Sequence, residues 1–327
     1  MITNTNPELS IILLLYNGEK YLDKCLSSLS HQSYQNFELL IIDDGSTDNS
    51  LKIIDKYKLL DQRISVFTFK HENSDKNLNA AIYHAKGNYI FQIDQDDYIS
   101  NNFLLNLMKC FNDNSIDCVS CSYTIVDENE KKLNWYTPNF IDSFKLEGID
   151  AAKYFLTNCH NVEGFRWNKI TRKSVFTENN LKYNAKLYPP DLAFKLGEFI
   201  NCRNVFFLNE SGYFYRQHND SDVKSLNVDR YLSFFSVYKH IYNEAIRYNL
   251  KIEAEFFYLQ YSLKMCYNIF KKRKSILGYN FLRKYISHNI TSHYNFLRDI
   301  PLLLKFCSGK KLIKSILCYI IVNFFIT

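Results

Sequence analysis

The 327-residue chain has few of the residues that interrupt regular structure, with 9 glycines and 5 prolines against 25 tyrosines and 26 phenylalanines. Apolar residues make up 46% and charged residues 23%, which is an ordinary globular composition. This composition excludes disorder, collagen-like sequence and low-complexity fibres as descriptions of the whole chain. No internal repeat is present, and the length suits one large domain or two modest ones.

A disulfide framework is not indicated either, because the 9 cysteines are an odd number without regular spacing. Cys118 and Cys121 form a single CxxC within an apolar run, and no second pair follows at zinc-site spacing, which favours core packing over a zinc site. Residues Met1–Ser10 lack a basic region leading into an apolar stretch, so no signal peptide is indicated. We therefore expect a cytoplasmic protein with reduced thiols.

The net charge of +6 conceals an asymmetry along the chain. Residues Phe256–Thr327 contain 12 Lys or Arg and a single acidic residue, Asp299, for a net charge of +11. The preceding residues contain 28 basic and 33 acidic side chains, for a net charge of −5. This contrast predicts two regions, with an aromatic, basic and helical region at residues 227–327.

The apolar carboxyl-terminal segment Leu312–Thr327 is shorter than the roughly 20 residues that a membrane-spanning helix needs. Its neighbours Lys305, Lys310, Lys311 and Lys314 suit an interfacial helix on an anionic membrane. A terminal helix packed on the domain, with a solvated basic face, is the alternative. We favour peripheral contact with the inner face of the cell membrane.

The first hundred residues alternate between strand-like and helix-like patterns. Apolar runs that suit strands lie at Ser10–Tyr16, Phe37–Asp43, Ile64–Phe69 and Tyr89–Ile93. Helical spacing lies between them, at Leu22–Leu29, Leu51–Tyr57 and Ala80–Ala85. This order predicts an α/β fold with a mostly parallel central sheet. Further strands are predicted at Cys118–Val126 and Val205–Leu208 in a more mixed middle section.

Polar clusters follow three of these strands: Asn17, the turn Asp43–Ser46 and the run Asp94–Asp97. Ligands of such sheets bind beyond the carboxyl ends of the strands. The three carboxylates of Asp94–Asp97 repel one another, and a Mg²⁺ or Mn²⁺ ion that also bridges substrate phosphates would neutralise them. A solvated acidic turn is the alternative. The turn at Asp43–Ser46 is weaker evidence, because a hydroxyl there or at Thr47 could simply cap the next helix.

Taken in order, several short motifs resemble the family 2 glycosyltransferases of GT-A fold. They are Ser10–Asn17, Gln32–Tyr34, Ile41–Asp48, Ala85–Ile90 and Asp94–Asp97, followed more weakly by Arg166–Lys169, Pro190–Phe194 and Tyr213–Ser221. The resemblance covers roughly the first two thirds of the chain. It implies a GT-A domain at residues 1–226, with a nucleotide-sugar half at about 1–100 and an acceptor half at about 101–226.

The resemblance also implies an activity, which is inverting transfer of a sugar from a nucleotide donor, most often a UDP-sugar. Roles are carried over by position. Leu14, Tyr16, Asn17 and Asp44 would hold the nucleoside, and Lys76, Asp94, Gln95 and Arg216 would contact the rest of the donor. Asp96 would bind Mn²⁺ or Mg²⁺, with His218 as a further metal or phosphate contact. Asp191 falls at the catalytic base, and Trp167 and Asp97 are weaker acceptor candidates.

These roles suit the reaction. A diphosphate leaving group needs a cation, the acceptor hydroxyl needs a base, and a base without a nucleophile means a single displacement. Purely structural roles are the alternatives: His218 could be a hydrogen-bonded edge residue, Trp167 a core residue and Asp191 a helix cap. The chain also departs from the family pattern, with Leu14 at a usual proline and Pro190 at a usual glutamate.

We therefore predict a metal-dependent hexosyl- or N-acetylhexosaminyltransferase acting on a glycan or lipid-linked acceptor in capsule, lipooligosaccharide or teichoic-acid synthesis. A family member that binds donor without transferring it is the alternative. A dehydrogenase is disfavoured because Tyr16–Glu19 offers one glycine where the dinucleotide fingerprint needs several. Nucleic-acid binding is not expected, because the basic tail matches no such motif. The sugar, the linkage and a homo-oligomeric state are left open.

Overall fold

The structure is a computed structural model of the chain. It describes residues 6–71, 74–133, 142–158, 162, 164–184, 186–218, 228–271, 282–284, 286, 296–307 and 315. The chain divides into two compact units. The first comprises residues 1–152, 160–185 and 197–221, and the second comprises 153–159, 186–196 and 222–327. The domain boundary predicted between residues 226 and 227 stays a prediction.

An eight-stranded sheet with the order β3-β2-β1-β4-β9-β6-β10-β8 forms the centre of the first unit. Its strands are β1 Leu9–Leu15, β2 Phe37–Asp43, β3 Ile64–Thr68, β4 Tyr89–Asp94, β6 Ile116–Cys121, β8 Phe144–Glu147, β9 Lys169–Arg172 and β10 Asn204–Leu208. The four strands from β3 to β4 are mutually parallel, whereas β9 pairs antiparallel with both β4 and β6. The predicted α/β fold with a largely parallel central sheet is confirmed.

The helices of the first hundred residues follow the predicted alternation. They are α1 Leu22–Ser30, α2 Ser50–Leu60 and α3 Ser74–His84, and α4 Phe103–Lys109 comes next, extended by a short 3-10 turn at Cys110–Asn112. Helix α1 buries the predicted face of Leu22, Cys25, Leu26 and Leu29. Helix α3 begins six residues before the predicted Ala80, because its first turn is polar and gives no apolar spacing.

Strand β1 lies inside the sheet between β2 and β4, with Leu9 opposite both Phe37 and Tyr89. The residues that lead into β4 pass very close to β1. A Cβ atom at Gly87 would lie 2.5 Å from the Ser10 backbone nitrogen and 2.7 Å from the Leu9 carbonyl carbon. Only a glycine fits where two backbones approach so closely.

The segment Cys118–Val126 forms strands, as predicted, but it is split between two sheets. β6 ends at Cys121 in the large sheet, and β7 Thr124–Val126 belongs to a small sheet of order β5-β11-β7. The other strands of the small sheet are β5 Tyr98–Ile99 and β11 Tyr213–Arg216. All nine residues from Cys118 to Val126 are buried, so no exposed residue marks the change from one sheet to the other.

The remaining helices are α5 Gly148–Thr157, α6 Lys173–Thr177, α7 Pro190–Ile200, α8 Val228–Arg247, α9 Lys251–Lys271 and α10 Phe296–Phe306. In the second unit, α8 and α9 pack through aromatic side chains such as Tyr238 and Phe257, whose ring centroids are 6.0 Å apart. None of the helices in the described ranges has both the length and the apolar content to cross a membrane. The predicted interfacial segment Leu312–Thr327 lies outside the described residues, apart from Ser315.

Candidate functional site

Three loops meet at the carboxyl edge of the parallel strands in the first unit. Strands β2, β1 and β4 are direct neighbours and end at Asp43, Leu15 and Asp94. Each strand is followed at once by one of the polar clusters that the sequence analysis identified. The topology therefore brings the predicted nucleoside and metal residues together at one edge of the sheet.

A two-way hydrogen bond joins the loop after β1 to the loop after β4. The Gln95 side-chain amide donates to the Tyr16 carbonyl oxygen at 2.9 Å, and its Oε1 accepts from the Tyr16 backbone nitrogen at 2.8 Å. Gly18 makes room for this contact, because a Cβ there would lie 2.8 Å from Gln95 Oε1. Gln95, predicted to contact the donor, thus also sets the position of Tyr16.

The loops after β1 and β2 are joined by Asn17, which adopts a left-handed backbone conformation with φ of 48°. Its backbone nitrogen donates to Ser46 Oγ at 3.0 Å, and its Oδ1 accepts from the Thr47 backbone nitrogen at 2.8 Å. The prediction that a hydroxyl of Ser46 or Thr47 caps α2 is therefore wrong. Ser46 and Thr47 face Asn17, and the Ser50 nitrogen at the start of α2 donates to Asp48 Oδ1 at 3.0 Å.

Asp44 lies beside an exposed pair of stacked rings. Its Oδ2 is 2.7 Å from His71 Nδ1, and its Oδ1 accepts from Asn77 Nδ2 at 3.2 Å. The imidazole of His71 stacks on the Tyr16 ring at a centroid distance of 4.0 Å and an angle of 13°. The site thus presents a carboxylate next to a flat aromatic surface.

The acidic run after β4 places its three carboxylates in different surroundings. Asp94 Oδ1 accepts from Arg166 Nη2 at 3.0 Å, and Asp96 Oδ2 is 2.8 Å from His218 Nε2. The side chains of Asp94 and Asp96 are 28% and 25% exposed, so both can reach a ligand. The structure therefore brings together Asp96 and His218, the two residues predicted to hold the metal.

Asp97 is buried and has a packing role. Its Oδ2 accepts from the Tyr213 hydroxyl at 2.6 Å and its Oδ1 from the Arg216 backbone nitrogen at 2.8 Å. Burial raises the pKa of Asp97 well above its usual range, and the charges of Asp96 and Asp94 raise it further, against these two hydrogen bonds. Its 1% exposure leaves no surface for an acceptor sugar.

Arg216 is also buried, at 3% exposure, and its guanidinium faces backbone oxygens. Its Nε donates to the Asp96 carbonyl oxygen at 2.9 Å and its Nη1 to the Glu128 carbonyl oxygen at 2.9 Å. The guanidinium also lies 4.8 Å from the centroid of the Tyr21 ring. These contacts make Arg216 a support for the loop that carries Asp96, rather than a group that reaches the donor.

Trp167 packs inside an aromatic cluster, which agrees with the core alternative. Its ring stacks on Phe165 and Tyr213 at centroid distances of 4.6 Å each and on Tyr215 at 5.1 Å. The residue is 3% exposed. This burial leaves no ring face for an acceptor sugar.

The other predicted residues occupy distinct places. Leu14 is a partly buried residue of β1, in register with Ile42 and Asp94 on the neighbouring strands. Lys76 is exposed in the first turn of α3. Asp191 lies in the first turn of α7, within the part of that helix that belongs to the second unit.

The donor set at Asp96 and His218 fits a divalent cation. Octahedral Mg²⁺ or Mn²⁺ holds its ligands at about 2.0–2.1 Å, so neighbouring ligand atoms are about 3 Å apart. Asp96 Oδ2 and His218 Nε2 are joined by a hydrogen bond of 2.8 Å, so a cation held by both atoms would take the place of that hydrogen. The carboxylate oxygen is the ligand type that Mg²⁺ and Mn²⁺ prefer. Among the described residues no group of three or more His, Cys, Asp and Glu could hold a metal, so substrate oxygens would supply the remaining ligands.

Two residues of this edge escaped the sequence analysis as site residues. His71 lies between β3 and α3, outside any periodic pattern, and only the fold places it against Asp44. Arg166 was noted in a motif but received no role, although it holds Asp94. Arg166 lies 72 residues after Asp94 in the sequence, so no local sequence pattern indicates that the two residues pair.

The chain is similar in sequence to bacterial glycosyltransferases. The chain is 24% identical over 326 residues to the uncharacterised glycosyltransferase EpsJ of Bacillus subtilis, covering 93% of each protein. It is 23% identical over 246 residues to the poly(ribitol-phosphate) β-N-acetylglucosaminyltransferase TarS of Staphylococcus aureus, covering 74% of this chain and 41% of TarS. Both of these relatives are named as glycosyltransferases.

The solved structures share this fold. The structure of TarS residues 1–349 in complex with UDP superposes with a TM-score of 0.62 at 18% identity, covering 94% of this chain and 81% of that one. The mannosyltransferase PcManGT of Pyrobaculum calidifontis, in complex with GDP-Man and Mn²⁺, gives a TM-score of 0.51 at 12% identity, covering 98% and 88%. The model of glycosyl transferase family 2 matches residues 10–179, more than half of the chain, and the protein belongs to that family.

Proposed function

We propose that this glycosyltransferase moves a hexosyl or N-acetylhexosaminyl group from a UDP-sugar to an acceptor hydroxyl, with inversion at the anomeric carbon and with the help of a divalent cation. The observation that carries the proposal is the convergence of Asp44, Asp94 and Asp96 at one edge of the parallel sheet, next to the exposed ring of Tyr16. One end of this edge suits a nucleobase and the other suits a metal-bound diphosphate.

Each residue of the edge has a role that its surroundings support. Asp44 accepts a ring N–H of the base, and Tyr16 provides a face for stacking. Asp94, held by Arg166, faces the ribose and the diphosphate, and exposed Lys76 contributes a positive charge toward the phosphates. Gln95 keeps Tyr16 in place through its two hydrogen bonds.

Asp96 and His218 would hold the cation, whose chemistry is to offset the negative charge that develops on the departing nucleoside diphosphate. Asp97 and Arg216 hold the loop that carries Asp96 in place. Asp97 ties the acidic loop to β11, and Arg216 binds the Asp96 carbonyl oxygen, so the Asp96 carboxylate is held by a buried support. Preorganised side chains of this kind cost no rearrangement during the reaction.

The proton of the acceptor hydroxyl goes to a base, for which we propose Asp191. The assignment rests on the resemblance of Pro190–Phe194 to the family motif and on the half-buried position of Asp191 in the first turn of a helix. A carboxylate suits the task because proton transfer can lag until attack acidifies the hydroxyl. With one base and no protein nucleophile, the sugar is displaced in one step and its configuration inverts.

For the acceptor we propose a growing or lipid-linked glycan of a bacterial surface polysaccharide, lipooligosaccharide or teichoic acid. The support is the relationship to EpsJ and to TarS, whose name specifies transfer of N-acetylglucosamine to poly(ribitol-phosphate). The charge of +11 in residues 256–327 supports peripheral docking on an anionic membrane, where such acceptors reside. Equal binding to anionic vesicles by the full chain and by a truncation before Leu312 would argue against docking through that segment.

Donor turnover tests the proposed function. Purified full-length protein is incubated with a panel of UDP-, GDP- and CDP-sugars, with MnCl₂ or with EDTA, and release of the nucleoside diphosphate is measured. We expect turnover of a UDP-sugar that EDTA abolishes and that added Mn²⁺ restores. Turnover that is unchanged by EDTA would refute metal assistance, and the absence of turnover and of nucleotide binding across the panel would refute the function.

A further inference from the structure

The contacts of His71 duplicate those that a nucleobase would make at the same place. Its planar ring stacks on Tyr16 at 4.0 Å, nearly parallel, and its Nδ1 is 2.7 Å from Asp44 Oδ2. Because an ionised carboxylate can only accept, the imidazole provides the hydrogen of this bond. A flat ring, a stacking partner and an N–H directed at Asp44 are together the recognition pattern proposed for the base.

We propose that His71 is a gate in the nucleobase subsite. It occupies the stacking face of Tyr16 and the acceptor of Asp44, and a nucleotide displaces it on binding. The inference rests on the proposed function, because it assumes that this edge binds a nucleotide. It adds a residue that sets donor affinity and limits the choice of base.

The backbone that leads into His71 is anchored to the loop after β2. The Phe69 backbone nitrogen donates to the Asp43 carbonyl oxygen at 2.8 Å. Gly45, with φ of 83°, allows close approach, since a Cβ there would lie 3.1 Å from the His71 nitrogen. The His71 side chain itself is 59% exposed, so rotation about its side-chain bonds carries the ring into solvent without a backbone change.

Because the nucleobase would replace the His71 imidazole, the contacts of that ring limit which bases fit. A base that replaces the imidazole without loss must be planar and must offer a ring N–H to Asp44. Uracil and guanine have such a group, whereas cytosine and adenine present an unprotonated ring nitrogen that would face the carboxylate. Asn77, which donates to the other Asp44 oxygen at 3.2 Å, holds the carboxylate in the orientation that this selection requires.

Calorimetric titration of the full chain with UDP, in MnCl₂ buffer, tests the gate. If the closed arrangement fills about nine molecules in ten, the apparent Kd is about tenfold above that of the open site. His71→Ala should therefore lower the Kd for UDP by about 3- to 10-fold. His71→Phe keeps a ring on Tyr16 but loses the bond to Asp44, so its Kd for UDP should lie between those of the wild type and His71→Ala. The matched control is His84→Ala, an exposed histidine at the end of α3, which should bind as the wild type does.

The outcomes separate the gate from the proposed function. Weaker or unchanged UDP binding by His71→Ala, with UDP binding intact in the wild type, would overturn the gate and leave the function standing. UDP and GDP bound more tightly than CDP and ADP support the base selection, and the reverse order contradicts it. Failure of both the wild type and His71→Ala to bind any of the four nucleotides would overturn the function and the gate together.

Ring signals in NMR provide a readout that does not depend on a variant's folding. In the full wild-type chain, saturating UDP should shift the imidazole resonances of His71 as the ring leaves Tyr16, while those of His84 stay in place. Unmoved His71 resonances in a protein that binds UDP would overturn the gate.

Discussion

The two halves of the eight-stranded sheet place their polar residues differently. In the parallel half, strands β1 and β2 are mostly apolar, and most polar side chains gather in the loops beyond the strands. In the mixed half, charged residues are buried beside the strands: Asp117 between Arg172 and Arg203, and Lys169 at 3.3 Å from Glu198. The parallel half thus carries partly exposed carboxylates at its loop edge, Asp94 and Asp96, whereas the mixed half pairs its charged residues with one another.

Asp191→Asn tests whether the chemistry is supplied from outside the parallel half. Loss of the carboxylate removes the proposed proton acceptor but none of the loops that would bind the donor. We expect kcat for transfer to fall by about 10²- to 10⁴-fold while the Kd for the UDP-sugar stays within twofold. Single-turnover kinetics together with calorimetry measure the two quantities. Normal transfer by the variant would move the base to another residue.

Asp96→Ala removes a proposed metal ligand from the parallel half. We expect a fall in kcat/KM of about 10²- to 10³-fold, together with loss of the response to added Mn²⁺, because the diphosphate charge is no longer offset. The matched control is Asp55→Ala on the exposed face of α2, which should keep full activity. A variant that still responds to Mn²⁺ would place the metal elsewhere.

Asp117→Asn should affect stability and spare activity, because Asp117 belongs to the mixed half. Its carboxylate, 4% exposed as a residue, accepts from Arg203 at 2.7 Å and from Arg172 at 3.1 Å. We expect urea unfolding to show a loss of about 2 kcal/mol, with kcat/KM per folded molecule unchanged. A change in KM at constant stability would contradict the division of roles between the halves.

The same carboxylate predicts a pH dependence. Burial alone would raise the pKa of Asp117, but the hydrogen bonds from Arg203 and Arg172 outweigh it and lower the pKa below the ordinary 3.8. A lowered pKa in the folded state means that the stabilisation is complete above pH 3.8 and is lost as the pH falls through the folded-state value. The difference in unfolding free energy between wild type and Asp117→Asn should therefore shrink below that pH.

Gln95→Ala should give the smallest effect, because it loosens a loop without removing a group proposed to bind substrate charge. Without the two bonds to Tyr16, the stacking face for the base is less well held. We expect KM for the donor to rise about tenfold, equivalent to about 1.4 kcal/mol, with kcat changed less than threefold. Gln62→Ala, on an exposed turn, serves as the control. An unchanged KM would show that Tyr16 needs no such support.

The comparison also explains what the sequence could predict. Strand β2 matched its predicted bounds, β3 and β4 differed from theirs by one residue at one end, and β1 was shifted by one residue at both ends, because long apolar runs and polar turns mark each boundary. In the mixed half the break between β6 and β7 was missed, since every residue across it is buried. Long-range contacts also left no local signal: Arg216 was predicted to contact the donor, and only the fold shows it buried against the carbonyl oxygens of Asp96 and Glu128.

Gly87 carries a consequence for the evolution of the chain. The crossing of two main chains at this point tolerates a hydrogen atom and nothing larger, so any replacement forces β4 away from β1. That shift would travel seven residues along the strand to the carboxylates at its far end. Replacement of Gly87, a residue remote from the proposed substrate contacts, should therefore lower both the stability and the activity of the enzyme.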